Sequence, residues 1–168
     1  MSNPPTSQLG VSSTPSEEHA FPPLFALDVQ KNAVRRITNE QASLSVSRDD
    51  ESGGLLVTYS DGSTPSTIYA IPSIEQAATR ASWKPLTDAN PQVRGFALGE
   101  QEEITWKSKD GTMVGGVLVK PAGFKPGTRY PLIVAIHGGP ASADVLGFNG
   151  GYNSQVYAGA GYLVLRPN

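Results

Sequence analysis

The sequence contains no cysteine, which excludes a disulfide framework, a CxxC redox pair and a thiolate zinc site. Its two histidines, His19 and His137, stand alone and form no HExxH pair, so a histidine-built metal site is not expected. Charge of either sign is scarce. Thirteen Lys and Arg face fifteen Asp and Glu, the net charge is −2, and no basic run provides the footprint of a nucleic-acid binder. No window approaches the roughly 18 apolar residues of a membrane span. Residues 1–20 lack the apolar core of a secretory signal, and a cytoplasmic location is expected. Turn formers, by contrast, are plentiful. Gly 18 and Pro 14 among 168 residues, without a collagen period, favour a soluble chain of many short strands. That length suits one ordinary domain able to bury roughly two-thirds of its surface.

Residues 1–20 are mostly Ser, Thr, Pro, Asn, Gln and Gly, with isolated Leu9 and Val11, and read as a flexible arm. From Phe21 to about Val93, short apolar runs alternate with turn clusters. The runs are Leu24–Val29, Val34–Thr38, Ser43–Val46, Leu55–Tyr59, Thr67–Ile71 and Trp83–Leu86, punctuated by Asn32, Asp49, Gly53-Gly54, Asp61-Gly62 and Pro72. This spacing predicts an antiparallel all-β unit. The pieces also echo one another: Leu24–Val29 leading to Arg35-Arg36-Ile37-Thr38-Asn39 resembles Thr67–Ile71 leading to Lys84-Pro85-Leu86-Thr87-Asp88. Thr38 and Thr87 stand 49 residues apart, a period typical of propeller blades, although unrelated hairpins would produce the same echo.

The texture changes after Asn90. Glu100–Trp106 reads as a strand, Lys109-Asp110-Gly111-Thr112 as a hairpin turn and Met113–Val119 as the return strand. Pro121–Gly127 is a loop. Pro131–Ile136 is a continuous apolar run expected to be covered on both faces. Phe148–Gly159 could hold a helix, with Gly150, Gly151 and Asn153 weakening its start, and Gly161–Leu165 reads as a second buried strand. Strand, loop, helix and strand make a βαβ crossover. Residues 95–168 are expected to be the opening part of an α/β sheet that further strands would complete, so the chain reads as truncated.

The sharpest chemical signal is His137-Gly138-Gly139-Pro140, directly after the apolar strand. Ligands of open α/β sheets bind beyond the carboxyl ends of strands, and glycines there bring backbone N–H groups close to a developing oxyanion. The alternative is a tight turn whose histidine merely bonds the backbone. Ser142 and Asp144 read as ordinary loop residues, since no free histidine is expected beside them. Gly159-Ala160-Gly161 precedes a strand where a dinucleotide fingerprint would follow one. Glu102 and Glu103 are adjacent and a strand would aim them at opposite faces, while Trp83 and Trp106 read as core residues.

Several motifs, in order, carry a family resemblance. Leu98–Thr112, Val117-Leu118-Val119-Lys120-Pro121, Tyr130–Val134, His137-Gly138-Gly139-Pro140 and Ala160–Asn168 resemble the start of the hydrolase domain of prolyl oligopeptidase family serine peptidases. The acylaminoacyl-peptidase and dipeptidyl-peptidase branch matches best. Upstream, Tyr59-Ser60-Asp61 with Thr64–Tyr69 resembles that branch's last propeller blade, so the resemblance spans residues 24–168. It implies a mixed fold: a flexible arm over 1–20, partial β-propeller over 21–94, and the N-terminal part of an α/β-hydrolase domain over 95–168.

The family's triad runs Ser, Asp, His, with the serine on a Gly-x-Ser-x-Gly elbow that exposes its hydroxyl. No Gly-x-Ser-x-Gly occurs in this sequence, and the family's triad lies beyond the position of Asn168, so His137 is not the triad histidine. What carries over is the oxyanion side. Where the prolyl-oligopeptidase and dipeptidyl-peptidase-IV branches place a tyrosine, this sequence has His137, as in the acylaminoacyl branch. Gly138 and Gly139 are accordingly the expected backbone donors, with His137 a candidate to donate or to orient the loop. The resemblance implies a short peptide substrate for the full-length enzyme, no metal or organic cofactor, and neither nucleic acid nor membrane as partner. It also implies that further blades precede Phe21 and that a Gly-rich loop, the elbow, an aspartate and a histidine follow Asn168. The alternatives are a non-catalytic β-rich interaction protein derived from such an enzyme and an α/β-hydrolase esterase.

Overall fold

Runs that alternate apolar and polar residues, broken every few positions by Asp, Asn and Gly, fold as antiparallel meanders. The computed structural model describes residues 8–11, 23–49, 51–139, 142–148 and 153–168, and it is mostly β with few helices. Strands β1 (Gln8–Val11), β2 (Leu24–Asp28) and β3 (Ala33–Arg36) form one antiparallel sheet in that order. Strands β4 (Ser43–Arg48), β5 (Leu55–Ser60), β6 (Thr67–Ile71) and β7 (Lys84–Pro85) form a four-stranded meander. Side-chain carboxylates close the turns between them. Asp28 accepts the N–H groups of Gln30 and Lys31, both at 3.1 Å, and Asp61 accepts those of Ser63 at 2.8 Å and Thr64 at 2.6 Å. In β5 the inward positions Leu55, Val57 and Tyr59 are buried while Leu56 faces out, as period two requires. Both sheets contribute to one core, Leu24 and Ile37 from the first and Leu44, Val57, Ile71 and Trp83 from the second.

The two stretches that echo each other in sequence end in the same backbone arrangement. Thr38 Oγ1 accepts the N–H of Leu24 at 3.0 Å, and Thr87 Oγ1 accepts the N–H of Ile68 at 2.9 Å. The residue before each threonine returns a bond to the same partner: Ile37 N–H to the Leu24 carbonyl at 2.7 Å, Leu86 N–H to the Ile68 carbonyl at 2.8 Å. A threonine thus closes the last hairpin of each unit.

The second half builds a mixed sheet. Strands β8 (Gln101–Lys107) and β9 (Met113–Val119) are a hairpin whose turn holds Gly111 at φ 89°, in the left-handed region where a side chain would be strained. Strand β10 (Leu132–Val134), helix α1 (Ser154–Gly159) and strand β11 (Leu163–Pro167) form the expected crossover, with β10 and β11 parallel. The order across the sheet is β10-β11-β9-β8, so β11 is central and β10 lies at the edge. Val117, Val119, Leu146, Ala158 and Val164 form its core.

Four details depart from the sequence reading. Within residues 1–20, Gln8–Val11 pairs with β2 as a strand, because the β2 edge offers backbone groups that the composition of the arm does not reveal; residues 1–7 and 12–20 lie outside the described residues. Pro131–Ile136 is covered on one face only. Ile133 and Ala135 pack on the core, while Leu132, Val134 and Ile136 are 52%, 51% and 71% exposed, since the sheet has no second layer there among the described residues. The helix is confined to Ser154–Gly159, starting after Asn153 in the left-handed conformation; residues 149–152 lie outside the described residues. Trp83 is buried as expected, but Trp106 is half-buried against Gly116.

Polar side chains join the two halves. Gln155 of α1 donates to the carbonyls of Gly62 at 3.2 Å and Gly99 at 3.0 Å, and accepts the Gly99 N–H at 2.8 Å. Ser60 at the end of β5 accepts the N–H of Phe148 at 3.0 Å. The turn after β5 is thereby fixed against the loop that follows β10.

Candidate functional site

The chain leaves β10 along the central strand: Ala135 N–H bonds the carbonyl of Leu165 in β11 at 2.8 Å. His137, Gly138 and Gly139 follow at the carboxyl end of the sheet. Gly139 adopts φ 80°, which only glycine accepts without strain, and so the backbone turns sharply there. Both glycines are exposed, and a Cβ on either would meet nothing within 4 Å among the described residues. His137 is half-buried, and its Nδ1 lies 3.4 Å from the Gly138 carbonyl, a long contact. Pro140 of the same motif, with Ala141, lies outside the described residues. The turn thus follows the carboxyl end of β10, and ligands of open α/β sheets bind beyond the carboxyl ends of strands. A carbonyl oxygen acquiring charge is what backbone N–H donors stabilise.

The other sequence candidates fall as follows. Ser142 is exposed on the loop. Glu102 is engaged by Lys120 at 2.8 Å and is not available as half of an acid/base pair. Asp144, read from sequence as an ordinary loop residue, is buried and faces Arg166, whose side chain is fully enclosed. Arg166 Nη1 stands 3.5 Å from Asp144 Oδ1, and Nη2 donates to Gln101 Oε1 and to the Val145 carbonyl, both at 3.3 Å. Asn168 completes the cluster. Its amide accepts the Asp144 N–H at 2.6 Å and donates to the Asp144 carbonyl at 3.1 Å.

Burial pushes the Asp144 carboxyl above its usual value, against the opposing pull of Arg166 and His137; burial likewise lowers Arg166, with Asp144 opposing. Removing one member of such a buried pair costs about 3–5 kcal/mol because the other is left uncompensated. A signal for this cluster does exist in the sequence. Arg166 follows Leu163-Val164-Leu165 at the inward parity of Val164, and an inward charge requires a partner.

Among the described residues, no group of three or more His, Asp or Glu is placed to hold a metal ion, and no helix is long and apolar enough to cross a membrane. A cleft of about 350 Å³ between the β5–β6 turn and residues 87–94 shares no residue with the glycine turn. It is lined by Thr64, Tyr69, Thr87 and Asn90, and its one arginine, Arg94, is already paired with Asp88 at 2.7 Å.

No family model matches the chain. It is 38% identical over 127 residues to an uncharacterized peptidase, YuxL, of Bacillus subtilis, covering 75% of this chain and 18% of that protein. To dipeptidyl-peptidase 5 of Arthroderma otae it is 28% identical over 155 residues, covering 91% of this chain and 21% of that protein. Among solved structures, the acylaminoacyl peptidase of Pyrococcus horikoshii shares the fold with a TM-score of 0.66 at 24% identity, over 90% of this chain and 22% of that one. The chain thus spans about a fifth of the length of the proteins it matches.

Proposed function

We propose that this chain, a relative of the prolyl oligopeptidase family of peptidases, supplies the last propeller blade, the junction and the oxyanion side of a serine peptidase that hydrolyses short peptides. The single observation that carries the reading is the Gly138–Gly139 turn, with its open backbone, at the carboxyl end of β10 in a sheet ordered β10-β11-β9-β8. The four-stranded meander β4–β7 and the repeated threonine closure of Thr38 and Thr87 support a blade assignment for residues 21–94. The crossover from β10 through α1 to β11 supports a hydrolase assignment for residues 95–168.

In this reading a serine from a nucleophile elbow attacks the scissile carbonyl and a histidine held by an aspartate takes the serine proton. The carbonyl oxygen becomes an anion that the N–H groups of Gly138 and Gly139 stabilise; as it re-forms the carbonyl, the C–N bond breaks and the histidine hands its proton to the leaving amine. Water then releases the acyl group. The triad lies outside these 168 residues, so residues 1–168 alone form no acyl-enzyme. His137 orients the turn.

The test is the translated product that contains these residues. Sequencing both flanks with transcript mapping is expected to find an elbow, an aspartate and a histidine in that order after Asn168. The product is expected to react with a fluorophosphonate probe and to cleave peptide amides as well as esters. Replacing Gly138, whose φ is not in the left-handed region, by proline removes an N–H and is expected to lower kcat by about 10²–10³ with little change in KM. Translation confined to Met1–Asn168 would leave the interaction-protein reading in the lead, and cleavage of esters alone would favour the esterase.

A further inference from the structure

We infer that Asp144 and Arg166, joined by Gln101 and Asn168, form a buried polar strut that positions the Gly138–Gly139 turn, an inference that rests on the oxyanion reading of that turn only for its functional meaning. Asp144 and Arg166 are positioning residues: they act through the backbone of the loop.

The argument starts from where the turn is attached. Its upstream foot is Ala135, whose N–H bonds the Leu165 carbonyl. Its downstream foot is Asp144, held by Arg166 through the carboxylate and by Asn168 through both backbone groups. Residues 165, 166 and 168 are consecutive or nearly so at the end of β11, so both feet stand on one strand, and that strand is central in its sheet. Beyond Asp144 the backbone stays pinned by side chains. The Val145 carbonyl receives Arg166 Nη2, the Gly147 carbonyl receives Gln101 Nε2 at 3.0 Å, and the Phe148 N–H reaches Ser60 Oγ. A loop outside regular secondary structure is thereby given a fixed backbone.

Stability alone does not require this chemistry. A buried ion pair is commonly replaced by apolar residues of similar volume without loss, whereas its directional bonds fix geometry. One arginine here reaches three groups on two segments, which an apolar side chain cannot reproduce. Asp144 Oδ2 has no hydrogen-bond partner among the described residues, and His137 at the start of the turn is one of the groups whose charge acts on the Asp144 carboxyl.

The experiment is 15N relaxation on the full 168-residue chain, comparing the parent with the double variant D144L/R166M, which replaces the pair by apolar groups. The strut predicts an unchanged urea midpoint and unchanged order parameters in β9. At Gly138 and Gly139, S² falls from about 0.85 to below about 0.6. Unchanged S² at both glycines in the folded double variant overturns the strut. Asn168→Ala, which strips two bonds from the Asp144 backbone and buries no lone charge, gives the same readout should the double variant not fold. The two readings fail separately. If the oxyanion assignment is wrong, the Gly138→Pro variant of the active product keeps its turnover while S² still falls; if the strut is wrong, turnover drops in that variant while S² holds.

Discussion

Gly99 lies where the linker between the two halves passes the end of β9, and Gly99→Ala tests how tightly that joint is packed. A Cβ built there falls on the carbonyl oxygen of Lys120 and 2.8 Å from the Ala158 Cβ. The first obstacle is backbone and the second is the methyl of a core alanine on α1, so neither can swing aside. Overpacking of this kind costs about 1–3 kcal/mol. Moving the linker away relieves the clash only by stretching the two bonds between Gly99 and Gln155, worth about 1 kcal/mol each. The expected destabilisation is therefore about 3 kcal/mol, which at a urea m-value of roughly 2 kcal/mol/M lowers the midpoint by about 1.5 M. Gly95→Ala is the control: a Cβ there meets nothing, its φ is not in the left-handed region, and the variant is expected to be neutral or stabilised by up to about 1 kcal/mol. Urea titrations followed by the fluorescence of Trp83 and Trp106 read both. A Gly99→Ala midpoint corresponding to less than about 0.5 kcal/mol, the range of ordinary surface substitutions, would refute the close approach.

Arg80 lies over three rings, 4.6 Å from Tyr59, 4.2 Å from Tyr69 and 4.7 Å from Trp83; Arg80→Ala is expected to cost about 1–2 kcal/mol by urea denaturation, and Arg80→Lys less. Thr38 and Thr87 make the same bond at different depths, Thr38 buried and Thr87 half-buried. Thr38→Val is expected to cost about 1–3 kcal/mol by stranding the Leu24 N–H away from water, and Thr87→Val under about 1 kcal/mol, read by thermal unfolding. Burial pushes the Asp61 carboxyl up, but hydrogen bonds from the Tyr59 hydroxyl, Ser63 and Thr64 outweigh it and hold the group below its ordinary value. Its contribution is thus present above the unfolded carboxylate pKa and lost as pH falls through the lower folded one. Asp61→Asn is expected to flatten the acid limb of stability measured between about pH 2 and 6.

The strands were legible because their signals are local. Leu55–Tyr59 is an apolar run bounded by the turn signals Gly53-Gly54 and Asp61-Gly62, Asp49 marks another turn, and Lys109-Asp110-Gly111-Thr112 sits where the β8–β9 hairpin reverses. The repeat of Thr38 and Thr87 was visible as spacing, although its meaning, a hydroxyl bonding a backbone N–H, is a matter of geometry. Cover on both faces of Pro131–Ile136 was inferred from composition, and composition does not say whether a second layer is present to provide it. Likewise the pairing of Gln8–Val11 depends on a free edge of β2 thirteen or more residues away, which no property of the arm encodes.

The glycine turn and its supports differ in the same way. Gly138 and Gly139 were singled out because a glycine pair after an apolar strand suits both a tight turn and a ligand's close approach, and the position of the turn follows from the strand before it. Asp144 was passed over because, within its own loop, a carboxylate beside Ser142 is unremarkable. Its burial is decided by Arg166, 22 residues later, and by Gln101, which meets Arg166 across 65 residues. The inward parity of Arg166 announces that some acceptor must be supplied, but parity cannot choose among Asp110, Asp144 and the glutamates; only the sheet order, which sets β8 and the 142–148 loop around the end of β11, makes the choice. On the reading proposed above, the donors are backbone atoms, which a glycine pair announces in the sequence. The proposed strut is instead a long-range agreement between side chains, and it becomes visible only when β11 is seen to carry bonds to both ends of the loop.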